Sequence, residues 1–357
     1  MKRINPASIF NFTSIFNFIF SLLLPFVLGA IVVALLGHDP QEALRELFRG
    51  AFVGRLSLGT TLQKWVPILL TGLAFCITSQ VRYFNIGVEG CFYMGALFSA
   101  GAGFLITGLP WYFHIPSCFF AGVLAGSVWA AIPGVLRVYW QVNESCSTIM
   151  FNYVAIQFAG FMIVNPWSAK SAASQTMPIL PSAALSRLMP PSRANSGLFI
   201  ALALYAAVFW IIRKTRLGFK MRSTGANPFF TDYMGIDSRR VVVLATALSG
   251  AVGGFAGSVE TMGVYGNIID GFSGWLAFDG MLAALISKNN LWLLPVYSFM
   301  IAALKTGALG MERFTGVPKA LIDTIIAILI IFLSMDNLFR FRFHFHFPRR
   351  KSEEKAR

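Results

Sequence analysis

An all-α, polytopic membrane protein of about ten transmembrane helices, some of them broken, with N- and C-termini cytoplasmic, is the architecture that three features of this chain require. Of its 357 residues, 56% are hydrophobic and only 12% charged, with a mean hydropathy of +0.66, whereas soluble domains carry about 25% charged residues. Apolar runs of the roughly 20 residues that cross a bilayer as a helix recur from end to end, where a transmembrane barrel would show short alternating segments. Lys and Arg gather between these runs, most of them on segments that then face the cytoplasm, and this bias orients the bundle. The net charge of +14 is spread over connections instead of along one amphipathic face, which argues against nucleic acid as a partner.

Taken in order, Lys2 and Arg3 precede an apolar run from about 15 to 36. It is too long for a signal-peptide core and more spans follow, so it reads as an uncleaved first helix with a cytoplasmic N-terminus. Glu42, Leu44, Arg45, Leu47 and Phe48 have the spacing of an amphipathic helix lying at the outer surface. Further spans are expected at about 66–79, 91–106, 117–136, 147–164, 197–212, 241–259, 275–286, 291–308 and 320–335. Between the fifth and sixth, residues 165–195 are rich in Ser, Ala and Pro and read as a large outer loop. Lys305, Arg313 and Lys319 count among the outer flanking charges. Residues 1–340 thus make one transmembrane domain, and 341–357 a basic cytoplasmic tail.

Two spans are interrupted. Phe84-Asn85-Ile86-Gly87-Val88-Glu89-Gly90 puts glycines and a carboxylate directly before the third span, and the short eighth span carries Phe278-Asp279-Gly280. Irregular backbone at membrane depth persists only where protein or a cavity satisfies it, and ionisable groups there are functional candidates. Asn85, Glu89, Asn152 and Asp279 are therefore the candidates for a solute path. For Glu89 and Asp279 the alternative is that they hold the broken helices in place. Phe84, Trp275 and Phe278 are candidates for stacking on a planar ligand, or ordinary core and interface aromatics. The small-residue run Ser249 to Gly257 in the seventh span suits close helix packing better than ligand contact.

The most charged interval between two apolar runs is Arg213 to Arg240, the mark of a cytoplasmic loop. Within it Asn227 suits a helix N-cap, Pro228 a first helical position and Gly235 the end of the turn. A short helix of about two turns then places Phe229, Phe230, Tyr233 and Met234 on one face. Aromatic bulk on a water-facing loop, with no core of its own to join, calls for a docking partner.

The chain lacks a G-x-x-x-x-G-K-[ST] loop and H-E-x-x-H; Cys76, Cys91, Cys118 and Cys146 form no metal spacing, and His38, His114, His344 and His346 are scattered. No cofactor and no metal are expected. The set Asn85-Ile86-Gly87-Val88-Glu89-Gly90, Val142-Asn143-Glu144 leading into Ser147-Thr148-Ile149-Met150-Phe151-Asn152-Tyr153, Gly225-Ala226-Asn227-Pro228, Tyr233-Met234-Gly235-Ile236 and Phe278-Asp279-Gly280 resembles the permease subunits of bacterial nucleoside ABC importers. These sit in the broader family with ribose and branched-chain amino-acid ABC permeases, and the resemblance covers about 67 to 331. It implies a non-enzymatic transport subunit in the bacterial inner membrane, moving nucleosides, purine nucleosides foremost. The implied partners are ATP-binding ABC subunits, a second permease subunit in a heterodimer, and an extracytoplasmic substrate-binding lipoprotein. It also implies that the loop bearing Gly225, Asn227 and Pro228 meets the ATPase. A sugar or amino acid remains the alternative cargo. An ATP-independent secondary transporter shares the broken helices but leaves the docking helix without a purpose.

Overall fold

The computed structural model describes residues 27–328, apart from 28, 32, 36, 172, 319, 325 and 326. The first span, most of the tenth, and the tail with His344 and His346 lie wholly or partly outside the described residues. Within them the chain is mostly helical: α1 Pro40–Phe52, α2 Arg55–Ser79, α3 Val88–Leu105, α4 Trp111–Trp140, α5 Glu144–Val164, α6 Gly197–Lys214, α7 Arg216–Ala226, α8 Pro228–Tyr233, α9 Ser238–Glu260, α10 Leu276–Ile286 and α11 Leu294–Thr315. Seven are long and apolar enough to cross a membrane: α2 to α6, α11, and α9 together with the π-helical turn Thr261–Tyr265 that extends it. α10 is a shorter apolar helix.

α2, α3 and α9 form the centre, and α4, α5 and α6 present Phe120, Leu124, Met150, Tyr153, Phe199 and Trp210 outward, as lipid-facing helices do. Glycine sets the closeness of the middle. Gly95 of α3, Gly122 and Gly126 of α4, and Gly250 and Gly254 of α9 face one another so tightly that a Cβ on Gly254 would meet the Gly122 carbonyl, and one on Gly95 would meet the Gly254 backbone. The small-residue run of α9 is therefore a packing seam. Seams of this kind replace the hydrophobic drive that lipid cannot supply between helices.

Several helix ends move relative to the sequence reading. α2 begins at Arg55, well before the 66 expected, and α11 runs to Thr315. The early turns of α2 carry Gln63 and Lys64, which line a cavity, so they depress hydropathy without ending the helix. α1 forms as the amphipathic spacing predicts, with Asp39 capping it through the Gln41 N–H at 2.9 Å. It does not merely lie on a surface. Gly50 packs backbone to backbone on Gly310, and Gly307 meets the Leu47 carbonyl, so α1 is joined to α11.

The 165–195 loop contains one 3-10 turn, Pro181–Ala183, and is held by backbone bonds instead of helices. Thr176 N–H donates to the Ile268 carbonyl (2.9 Å), Ile179 N–H to Gly266 (2.8 Å), Leu180 N–H to Gly103 (2.9 Å) and Leu185 N–H to Met262 (3.0 Å). His114 Nδ1 and Ser182 Oγ, 2.8 Å apart, add a side-chain tie from α4.

Candidate functional site

The stretch before α3 has no regular secondary structure across residues 83–86 and is buried at Asn85. Its backbone groups find the partners that lipid would not give. Asn152 of α5 accepts from the Gly90 N–H at 2.7 Å and donates to the Ile86 carbonyl at 2.8 Å. Asn85 accepts from the Gly87 N–H (2.9 Å) and donates to Ser249 Oγ (3.1 Å) on α9, whose hydroxyl donates to the Ala74 carbonyl of α2 (2.7 Å). The two amides thus clasp the start of α3 to its neighbours, with their hydrogen-bonding capacity turned to protein backbone and to Ser249.

Glu89, in the first turn of α3 and 1% exposed, reaches across to the start of α10. Its carboxylate accepts from Ser273 Oγ and from the Ala277 N–H, the latter at 3.1 Å. α10 has no capping side chain of its own; its N-cap position is Trp275, held in the left-handed region at φ 67°. Glu89 supplies from another helix the acceptor that a first turn lacks, where negative charge is also favoured by the helix dipole. The starts of the two interrupted helices are therefore joined by one carboxylate.

Asp279, one turn further along α10, is buried and pairs with Lys305 of α11 at 2.7 Å; Lys305 also reaches Asp323 at 3.4 Å. Asp279 Oδ2 is buried with no hydrogen-bond partner among the described residues. The sequence reading placed Lys305 among outer flanking charges. The structure puts it within α11 and on the wall of a cavity of about 310 Å³. Gln63 and Lys64 of α2, Glu260 at the end of α9, Tyr265 of the π-turn, and Phe272, Ser273 and Asp279 share that wall.

Lys305, Glu260, Tyr265, Gln63 and Lys64 were missed in the sequence. The signal was present for Glu260, an ionisable residue ending an apolar helix, but nothing in one dimension brings it to the same wall as Gln63 and Lys64. Of the four candidates for the path, the structure brings Glu89 and Asp279 to the cavity region, and only Asp279 lines it. Phe84, Trp275 and Phe278 are not on its wall. Phe84 packs edge-on against Phe75, and Trp275 against Phe278. Asn143 and Glu144 fasten the α4–α5 connection: Asn143 caps α5 through the Ser145 and Cys146 N–H groups, and Glu144 pairs with Arg137 at 3.0 Å.

At the other end of the molecule, α8 forms where capping and proline require it. Asn227 Oδ1 accepts from the Phe230 N–H at 3.1 Å, Pro228 occupies the first turn, and Gly235 (φ 78°) leaves it in the left-handed region. Phe229 is 86% and Tyr233 91% exposed, with Phe230 and Met234 also exposed. Thr231 faces inward and is buried. Asp232 fixes the return to α9 by accepting from the Ser238 N–H (2.7 Å) and hydroxyl (2.9 Å), and these two donors hold its carboxyl below the usual carboxylate range. Gly225 lets α7 lie directly on the Gln80 carbonyl at the end of α2; a Cβ there would overlap it. The aromatic helix is thereby seated on a helix that leads to the cavity.

An ionic cavity lodged among apolar helices, with an aromatic handle held beyond their ends, suits a subunit that passes a solute through a membrane under the control of another protein. The family comparison makes this class specific. The chain belongs to the family described as "Branched-chain amino acid transport system / permease component", whose model matches residues 57–334, so it is a multi-pass membrane permease. Among curated proteins it is 30% identical to the guanosine ABC transporter permease protein NupP of Bacillus subtilis, over 90% of this chain and 93% of that protein. It is 31% identical to the nucleoside ABC transporter permease protein NupB of Lactococcus lactis, over 87% and 88%. To the glucose ABC transporter permease protein TsgB13 of Haloferax volcanii it is 28% identical, over 90% and 87%. No solved structure matches the chain.

Proposed function

We propose that this permease carries nucleosides inward, purine nucleosides foremost, as one subunit of an ABC importer. The observation that carries the cargo reading is the composition of the cavity wall. Lys64 and Lys305 sit among Glu260, Asp279 and Asp323, so opposite charges lie side by side instead of forming a field of one sign. Such a wall suits a neutral, polar cargo that exchanges hydrogen bonds with it. Tyr265 and Phe272 add aromatic surface beside Gln63 and Ser273. A nucleoside, with a planar base and a hydroxylated sugar, matches both halves of this wall. The similarity to the guanosine and nucleoside permeases, each over nearly the whole chain, supports the same choice over a free sugar.

The chain has no phosphate-binding loop of its own, and α8 offers an exposed aromatic surface to grip, so ATP hydrolysis belongs to a partner subunit docked on Phe229, Phe230, Tyr233 and Met234. Gly225, Asn227, Pro228 and Gly235 shape that surface. Closure of the ATPase pair then pushes α8 and α7 against the end of α2, shifting the bundle between outward and inward states. Asp279 and Glu89 serve the path by holding α10 in place beside the cavity, while Asn85 and Asn152 support the start of α3. A second permease subunit completes the pathway, and an extracytoplasmic lipoprotein delivers the cargo. The seven long helices and α10 are read as eight of ten spans, the first and tenth lying largely outside the described residues, with 213–240 and both termini on the cytoplasmic side.

Uptake of labelled guanosine, adenosine, uridine, ribose and glucose by the reconstituted importer, with and without ATP, tests this reading. ATP-dependent uptake of purine nucleosides is expected. Uptake of a free sugar with no nucleoside would overturn the cargo, and uptake without ATP would overturn the motor.

A further inference from the structure

A second pair of cavities lies away from the ionic one, beside the cytoplasmic loop. The outer member, about 450 Å³, opens between α7 and the beginning of α9; Arg216, Lys220 and Arg240 stand at it with Leu217, Met221 and Leu244. The inner member, about 220 Å³, is lined only by apolar side chains, among them Ile77 of α2, Val208 of α6 and Leu248 of α9. Leu217 and Met221 border both. Val241, Leu244, Leu248 and Phe255 follow one face of α9 at helical spacing, so a single apolar stripe leads from the charged mouth into the dry slot.

Charge at the mouth is unbalanced. Arg240 is answered by Asp237 at 2.8 Å, and Arg222 turns back to donate to the Ile212 carbonyl. Among the described residues no carboxylate pairs with Arg216 or Lys220. A cationic mouth continuous with an apolar slot is complementary to one kind of molecule, an anion joined to a hydrocarbon chain.

We infer that this double cavity is a binding site for an anionic phospholipid of the adjoining leaflet, its phosphate on Arg216 and Lys220 and an acyl chain in the slot between α2, α6 and α9. A free anion would leave the slot unfilled. An acidic peptide of the ATPase would use the mouth and leave the slot empty. Gly235 and Ile236, in the turn that returns from α8, also line the mouth, so a bound lipid braces the base of the docking helix.

Native mass spectrometry of the full-length permease in detergent, titrated with phosphatidylglycerol or phosphatidylethanolamine of equal chain length, tests the site. Phosphatidylglycerol should be retained more tightly, by on the order of tenfold for two cations near a leaflet surface. R216A/K220A, both exposed positions, should erase that preference. Val208→Trp should weaken retention of both lipids with the charges intact, its elution volume and helicity confirming that it folds. Equal retention of the two lipids by the parent protein would overturn the proposal. So would displacement of phosphatidylglycerol by millimolar inorganic phosphate, which would show a free-anion site. Loss of ATPase co-purification in R216A/K220A with lipid retention unchanged would likewise overturn it, in favour of a protein contact.

Discussion

At the scale of single residues, the interior is organised by polar side chains that each tie two elements together. Asp279 and Lys305 form the sharpest case, since removing one partner leaves the other charged and enclosed. Asp279→Asn should cost about 2 to 3 kcal/mol, less than for a fully enclosed pair, because Lys305 keeps Asp323 and is partly exposed. The double variant Asp279→Asn with Lys305→Met should recover much of that stability while uptake stays low. Thermal unfolding in detergent beside vesicle uptake measures both, and a double variant less stable than either single would contradict the pairing. How much of this could be read in advance differs by residue. Glu89 and Asp279 stand out in a linear chain because carboxylates in apolar runs are rare. Lys305 does not, since a lysine near the end of an apolar run is an ordinary flank and its partner lies on another helix. Asn85 and Asn152 were legible as polar, but not as clasps, because which backbone they face depends on how α3, α5 and α9 are packed.

At the scale of elements, α8 was the most legible of all, since its cap, its proline and its closing glycine are local and need no tertiary information. Its exposed aromatics carry a direct expectation. Phe230→Asp should abolish co-purification of the ATPase while leaving the elution profile of the permease unchanged; undiminished co-purification would remove α8 as the docking element. The turn behind it has a pH signature. Because the folded carboxyl of Asp232 lies below its unfolded value of about 3.9, its contribution is fully present above that value. It is lost as pH falls through the folded value. Hydrogen exchange at Gly235 to Ser238, corrected for intrinsic rates, should therefore rise below about pH 4 and lose that dependence in Asp232→Asn. The long spans were legible in existence and blurred at their ends. α2 outruns its apolar core because Gln63 and Lys64 face a polar cavity, and hydropathy cannot distinguish a residue facing a cavity from one leaving the membrane.

At the scale of the whole molecule, the glycine seam joining α3, α4 and α9 makes those three helices a single unit in which backbones touch. Sterics oppose motion within it, so a change of state is expected between this unit and the α2 and α10 side, to which it is joined by hydrogen bonds from Glu89 and Ser249. Gly254→Leu should prevent assembly outright, since the facing Gly122 and Gly126 backbones cannot retreat; membrane yield and elution profile measure this. That the chain is a bundle was plain from composition. That glycine, and not leucine, sets its centre was visible only as a packing-prone run in α9, because the matching glycines of α3 and α4 are dispersed. The 165–195 loop, finally, has a practical consequence for anyone wishing to tag this protein. Lys170 and Ser171 are exposed in the turn closed by the Ser168–Thr176 bridge, whereas Thr176 to Leu185 is sewn to residues 262–268. A short epitope inserted after Lys170 should leave uptake intact, and the same epitope inserted between Thr176 and Ile179 should abolish it. The loop thus offers one insertion-tolerant position for a surface label, a few residues from a stretch that tolerates none.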